Sequence, residues 1–521
     1  MSTEPPTIQR DEATPTTSPT GVLDATDTTG VTGTVPAGLS PPKLYNDDLA
    51  PTSRAGRRWS SYNIFTLWAN DVHSLGNYAF AIGLFALGLG GWQILTALVL
   101  GGVFLFLLLN LSGFMGEKTG VPFPVMSRIS FGIRGAQIPP ALIRGGVAIA
   151  WFGIQTYLAS VVLRIMLVAL FPGAADLDTN RFLGLSTLGW ISFVSLWVIQ
   201  VIIVSYGMEM IRRYEAFAGP VILVTMVALA IWMLSNADWT IAWSTPDSLT
   251  GMDMWLQIIG GASLWVAIYG TFVLNFCDFT RNAESRKAIV RGNFWGGIPL
   301  NMLLFGGIVV VLAGAQFRID GRVIESPSDI VQTVPPNTFL LVLACLALLI
   351  LTVAVNLMAN FVAPIYALSN LFPRHLNFRR AALVTAIIGL IILPWNLYNS
   401  PAVINYFLGG LGALLGPLFG IVMADYWLVR RSRIDVPALF SEAPDAAYHY
   451  RDGVNLRAIA ALVPTAAFAL VMAFVPAFDV VAEFSWFIGA GLGAIVYLAV
   501  ADRRGPFAEV SGEPISVAST H

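Results

Sequence analysis

Twelve times in 521 residues this chain returns to an apolar window about as long as a bilayer core is thick. A helix rises 1.5 Å per residue, so about 20 apolar residues are needed to cross about 30 Å of hydrocarbon. The windows lie at 62–86, 93–115, 140–170, 186–206, 217–235, 254–277, 294–316, 338–368, 379–394, 400–429, 457–476 and 481–501. Backbone polar groups find no partner in lipid, so segments of this length must satisfy their own hydrogen bonds as helices. The expected fold class is an all-α polytopic membrane protein with 12 transmembrane helices. Charged residues make up only 12% of the chain, half the roughly 25% usual for a soluble domain.

Lys and Arg set the direction of the spans. With both termini inside, 24 of the 29 fall in cytoplasmic segments, and only Arg181, Arg318 and Arg322 fall outside. Arg144 and Arg164 are left within the third window. This asymmetry supports an even span count and cytoplasmic termini, and the expected location is the plasma membrane. The net charge of −2 and the scatter of basic residues in short clusters argue against a nucleic-acid partner. Residues 1–57 are rich in Thr, Pro, Gly and acidic residues with no apolar run, and are expected to be a disordered tail. Cys277 and Cys345 both sit in apolar runs and offer neither a disulfide framework nor a metal cluster.

The first window carries W-A-N-D-V-H-S-L-G-N-Y, Trp68 to Tyr78. Asp71 would lie roughly 13 Å into the bilayer, where a carboxylate costs about 2.5–3.5 kcal/mol on insertion scales. Hydrogen bonding to a neighbouring helix would account for one such residue. Five in eight positions, Asn70, Asp71, His73, Ser74 and Asn77, point instead to a functional cavity. The sixth window has a second interruption, I-I-G-G-A-S-L-W-V-A-I-Y-G, Ile258 to Gly270, where the glycine pair lowers helix propensity or allows close packing. Interrupted segments in the first and sixth positions are the mark of an inverted-repeat transporter with its site where both helices break. Two repeats are expected at 58–237 and 250–432, followed by two further spans within 455–502 and a cytoplasmic tail at 503–521.

Other spans add polar groups at similar depth. Trp151 and Gln155 share a face of the third, as do Asn356 and Asn360 of the eighth. A carboxamide presents a donor beside an acceptor, which matches the edge of a cyclic amide, and an indole can stack on a planar ring.

These residues resemble the first class of nucleobase:cation symporters, the permeases of cytosine, uracil, allantoin and hydantoins. The motifs that carry the resemblance are N-D-D-L-A-P-T-S-R-A-G-R-R-W (46–59), G-V-P-F-P-V-M-S-R-I-S-F-G-I-R-G-A-Q-I-P (120–139), W-F-G-I-Q-T (151–156), D-F-T-R (278–281) and G-P-L-F-G-I-V-M-A-D-Y-W-L-V-R (416–430). It implies a five-plus-five inverted repeat of the leucine-transporter type working by alternating access. It also implies that Trp151 stacks on the substrate, that Gln155 and Asn360 hydrogen-bond to it, and that Tyr269 and Ser74 replace a Trp and a Gln or Asn of family members. The family's sodium site maps to Asn70, His73, Leu351, Ala354 and Val355. Its two hydroxyl ligands are absent here, which favours a proton over sodium because sodium wants oxygen ligands. Asp71 and His73 are the titratable groups near the break.

The expected function is import of a nucleobase-like cyclic amide by cation symport, with no cofactor and no partner beyond substrate, coupling ion and bilayer. The alternative is a same-fold transporter of a cationic or amino-acid-like substrate such as thiamine. An enzyme is not expected: His73, His375, His449 and His521 are too scattered to build an H-E-x-x-H metal site.

Overall fold

Helix fills each of the twelve apolar windows, but several of these helices are interrupted. The computed structural model describes residues 43–137, 139–324, 338–398, 401–503, 505 and 507–512. We number the principal helices α1 (Ser61–Asp71), α2 (Leu75–Ala86), α3 (Gly91–Thr119), α4 (Pro139–Leu170), α5 (Thr187–Ser205), α6 (Met208–Asn236), α7 (Gly251–Ile268), α8 (Gly270–Asn275), α9 (Arg286–Asp320), α10 (Thr338–Val355), α11 (Val362–Leu371), α12 (Phe378–Ile391), α13 (Pro401–Met423), α14 (Leu456–Phe474) and α15 (Ser485–Val500). Among the described residues, eight helical stretches are long and apolar enough to cross a membrane. The remaining windows hold shorter helices because their sequences break or loosen the helix. The only strands among the described residues form a small hairpin, Arg181–Phe182 with Leu185–Ser186.

The first window opens between α1 and α2, at residues 72–74. Ser74 has extended backbone angles and caps α2 by accepting from Asn77 N. The second interruption falls elsewhere than the glycine pair suggests. Gly260 and Gly261 lie inside α7, and the helix is interrupted at Tyr269, between α7 and α8. Propensity gives way to packing there: a side chain on Gly261 would press on Leu84, one on Gly260 would overlap the Glu483 carboxyl, and the Ser263 hydroxyl donates to the Glu483 carbonyl at 2.7 Å. Three π turns, Leu300–Phe305, Asn356–Phe361 and Ala424–Val429, interrupt the seventh, eighth and tenth windows. Such wide turns concentrate at functional positions.

Residues 43–57 are not part of a disordered tail. Asn46 donates to the carbonyls of Pro373 and Leu376, both at 2.9 Å, and the Asp48 carboxylate accepts from Phe378 N at 2.7 Å. Arg281, the last residue of D-F-T-R, donates to the Asp48 and Ala50 carbonyls and to the Thr52 hydroxyl. Burial raises the Asp48 pKa, opposed by its bond from Phe378 and by Arg281. A polar segment that cannot build a core is thus ordered by hydrogen bonds to the α11–α12 connection, to the first amide of α12 and to Arg281. Residues 1–42 and 513–521 lie outside the described residues.

The same motifs lace the helix ends together. Arg144 on α4 donates to Asn275 Oδ1 and the Ala359 carbonyl, Asn275 donates to Asp278 at 2.7 Å, and Asp278 accepts from Phe123 N at 2.6 Å. Asp425, wholly buried, takes bonds from Ser130, Tyr497 and Arg430, the last at 3.2 Å. The last span, α15, then locks onto α13 through glycines on both helices. A Cβ on Gly420 would overlap the Ala490 carbonyl, and one on Gly489 would lie 2.8 Å from Pro417 Cδ. Small residues spaced four apart, Gly416 with Gly420 and Gly489 with Gly493, let the two backbones meet. Gly420→Val should therefore destabilise the purified protein by about 1–3 kcal/mol through overpacking. A melting temperature unchanged from wild type would show that the two helices do not touch there.

Candidate functional site

The unwound residues between α1 and α2 leave carbonyls without helical partners, and one side chain supplies them. Asn77 Nδ2 lies 2.8 Å from the Asp71 carbonyl, 3.3 Å from the Val72 carbonyl and 2.8 Å from the Tyr269 hydroxyl oxygen. The Tyr269 hydroxyl also lies close to the Asp71 carboxylate. Amide, phenol and carboxylate thus form a relay from α2 through the α7–α8 interruption back to the end of α1. All three are buried, so the relay replaces water that this depth lacks.

His73 is wholly buried, with Nδ1 2.6 Å from the Tyr78 hydroxyl and Nε2 without a partner. Its ring stands edge-on to Phe305 in the π turn of α9. Asn70 turns toward α6, where Nδ2 meets the Glu215 carbonyl at 2.9 Å and the Glu215 carboxylate, besides the Thr66 carbonyl of its own helix.

A second polar group lies where α4 meets the π turn Asn356–Phe361. Asn356 Nδ2 approaches the Phe152 carbonyl, the Thr156 hydroxyl and Gln200 Oε1 at 3.2, 3.0 and 2.7 Å. Asn360 Nδ2 donates to Asn356 Oδ1 at 3.1 Å. Trp151 and Gln155 immediately precede Phe152 and Thr156 in the chain, and both are half-buried. Phe152 meets Phe361 edge-on at 4.4 Å between ring centres. The π turn brings Asn360 to this turn of α4 with its amide already oriented by Asn356.

Aromatic rings fill the space around Tyr269: Trp265 at 5.3 Å and Trp68 at 5.6 Å between centres, with the Trp68 indole donating to Asn293 at 2.9 Å. Offset and tilted rings at these distances attract one another and exclude water. Leu351, Ala354 and Val355 are buried on α10, which packs on both α1 and α4. The one hydroxyl between them, Thr352, donates to its own helix at the Leu348 carbonyl, 2.7 Å away.

The sequence-derived residues therefore gather in two places. Asn70, Asp71, His73 and Ser74 surround the first break with Tyr269; Trp151 and Gln155 lie on the turn of α4 whose Phe152 and Thr156 contact the π turn that carries Asn360; α10, with Leu351 and Ala354, packs beside both. Sequence reasoning missed Glu215, Thr156 and Gln200 as members, and left Asn77 without its relay role. Two surface clefts of about 480 and 560 Å³ share Arg430 and Phe507 and include none of these residues.

Residues 51–489 match a family described as permease for cytosine/purines, uracil, thiamine, allantoin. The chain is 35% identical to the allantoin permease of Bacillus subtilis over 88% of this chain and 93% of that protein. It is 33% identical to the purine-uracil permease NCS1 of Arabidopsis thaliana, over 81% of this chain and 70% of that one. Among solved structures it superposes on Mhp1, a nucleobase-cation-symport-1 family transporter, in a closed conformation with bromovinylhydantoin bound. The TM-score is 0.73 at 26% identity, covering 88% of this chain and 95% of that chain.

Tyr269→Phe removes the shared hydroxyl of the relay and should cost about 1–3 kcal/mol of stability, the range for an unsatisfied buried polar group. Thermal unfolding in detergent measures this, and a variant as stable as wild type would mean that the relay carries no weight.

Proposed function

Because this chain belongs to the family of permeases for cytosine and purines, uracil, thiamine and allantoin, and is a multi-pass membrane transporter rather than an enzyme, we propose that it imports a nucleobase or related cyclic amide by proton symport. The path is alternating access between two inverted five-span repeats, the first from 58 to 237 and the second from 250 to 432. Twelve spans place both termini in the cytoplasm, and the membrane is the plasma membrane. The carrying observation is that the break in the first helix faces Tyr269 while α10 and its π turn join it to the Trp151, Gln155 and Asn360 side. The names of the relatives, allantoin and purine-uracil permeases, and the hydantoin in Mhp1 support a planar cyclic amide as the substrate class.

In this reading Trp151 stacks on the ring, Gln155 and Asn360 pair with its amide edge, and Tyr269 with Ser74 closes the opposite side. Ser74 already accepts from Asn77 N, which leaves its hydroxyl hydrogen for substrate. Proton coupling is favoured because Leu351, Ala354 and Val355 carry no oxygen in their side chains and Thr352 is engaged within its helix. Asn70 and His73 offer backbone carbonyls, and Asn70 its amide oxygen, a sparse shell for a hard cation. Asp71, at the end of the relay, takes part in coupling. Its carboxylate also favours a second reading, a cationic substrate such as thiamine, which would pair with it directly.

Uptake of radiolabelled uracil and allantoin by cells expressing the chain, competed by cytosine, benzyl-hydantoin and thiamine at two pH values with and without sodium, separates these readings. We expect competition by a planar cyclic amide, stimulation at acidic external pH and indifference to sodium. Trp151→Ala should lower uptake by about fivefold or more, since stacking of a ring on an aromatic side chain contributes about 1–3 kcal/mol. Displacement by thiamine alone would transfer Asp71 to the substrate. Full pH-driven uptake by Asp71→Asn would remove Asp71 from the coupling mechanism.

A further inference from the structure

Asn360 is the last member of a chain of amides that starts one helix away from the site. Gln200 on α5 donates through Nε2 to the Leu196 carbonyl of its own helix and to the Thr156 hydroxyl oxygen on α4, both at 3.2 Å. Gln200 Oε1 accepts from Asn356 Nδ2 at 2.7 Å, and the same nitrogen stands 3.2 Å from the Phe152 carbonyl. Asn356 Oδ1 then accepts from Asn360 Nδ2 at 3.1 Å. Gln200, Thr156 and Asn356 are all buried, so water does not compete for these bonds.

Two backbone carbonyls fix the sense of the chain. A carbonyl oxygen only accepts, so Leu196 demands the nitrogen of Gln200, and Phe152 demands the nitrogen of Asn356. The Thr156 hydroxyl spends its own hydrogen on the Phe152 carbonyl, 2.8 Å away, and is left to accept from both amides. Turning either amide over would set oxygen against oxygen where nothing else can pair with them. The orientation is therefore handed on: Asn356 shows Oδ1 to Asn360, and Asn360 answers with Nδ2. Asn360 Oδ1 makes no hydrogen bond among the described residues and lies on the other side of the amide. Gln155, the other amide of the site, has no hydrogen bond among the described residues and is free to turn either way.

We propose that Gln200, Thr156 and Asn356 are positioning residues that hold the Asn360 amide in one orientation, so that the site selects rings presenting N–H to Asn360 Oδ1 and rejects rings of the same shape with a bare nitrogen there. The proposal rests on the cyclic-amide reading and narrows it to the imide edge, N–H beside C=O. An unrestrained carboxamide reads both N–H/C=O and N/NH2 edges, because half a turn exchanges its donor and its acceptor. A restrained one does not. In the same pose the second edge puts a ring nitrogen against Oδ1, acceptor against acceptor, and a site built to hydrogen-bond one group discriminates strongly against a ring that lacks it. The chain crosses α5, α4 and the π turn, which pack on one another, so the restraint does not depend on the break between α1 and α2.

Competition against uptake of radiolabelled uracil or allantoin tests this with two ring pairs, uracil against cytosine and hydantoin against its 4-imino analogue. Within each pair the N–H/C=O edge becomes N/NH2 with almost no change in size. The wild type should prefer the imide member by about tenfold or more. Asn356→Leu removes the acceptor that holds Asn360, and Gln200→Met in the same chain removes the amide that would otherwise lose its partner, since deleting both partners of a buried bond disturbs a fold less than deleting one. In this double variant the preference should fall to within about threefold. A purely structural role would lower uptake of both rings alike and leave their ratio unchanged. Ligand-induced shifts in the melting temperature of the purified protein give the same ratio without transport.

Equal competition by both members of each pair in the wild type would overturn the proposal and leave a cyclic-amide transporter standing. So would a wild-type preference that the double variant keeps in full. If the double variant binds neither ring, Asn360→Ser decides, because a hydroxyl rotates to donate or accept: loss of the preference supports the restrained amide, and an undiminished preference overturns it. Displacement by thiamine with no competition from any cyclic amide would overturn this proposal together with the reading on which it rests.

Discussion

An unwound stretch of backbone buried at the level of the bilayer core is the constraint from which the rest of the arrangement follows. Residues 72–74 give up helical hydrogen bonds where no water can replace them, so side chains must do so. Asn77 supplies the Asp71 and Val72 carbonyls, and Ser74 caps the helix that resumes at Leu75. Polar residues that are costly against lipid become necessary once the helix opens.

The amide of Asn77 also reaches Tyr269, the residue at which the sixth window is interrupted. The two broken helices are therefore joined at their breaks, through groups that could equally well bind a small polar ring. A substrate that takes a hydrogen bond from this relay competes with the contacts holding the helices together, which gives binding a direct hold on the geometry of both. The aromatic rings of Trp68 and Trp265 keep the place dry, so each such exchange counts for more than it would in water. Away from the breaks, the Arg144, Asp278, Arg281 and Asp425 networks and the glycine seam of α13 and α15 hold the surrounding scaffold.

Much of this was legible in the sequence for physical reasons. Apolar windows report helices because lipid permits little else, and the cluster from Asn70 to Asn77 reports the first break because nothing else justifies its cost. The second break falls at the end of the stretch Ile258 to Gly270 rather than at its glycine pair: Gly260 and Gly261 have weak helix propensity, yet their missing side chains are used for contact with Leu84 and Glu483. Residues 43–57 read as disordered because composition measures core-building, whereas Asn46 and Asp48 act as single pegs at the α11–α12 connection. Glu215 escaped notice because the fifth window began at 217. The helix itself starts at Met208, so a residue that reads as part of the arginine-rich end faces Asn70 instead. The π turn that orients Asn360 leaves no local mark at all.

The central claim, that substrate binds at the joined breaks, is tested most directly by hydrogen–deuterium exchange of the purified chain in lipid nanodiscs with and without a competing cyclic amide. The account predicts slowed exchange in peptides covering residues 70–78, 265–275 and 356–361. Protection confined to the cleft around Arg430 and Tyr450, with those three segments unchanged, would contradict it.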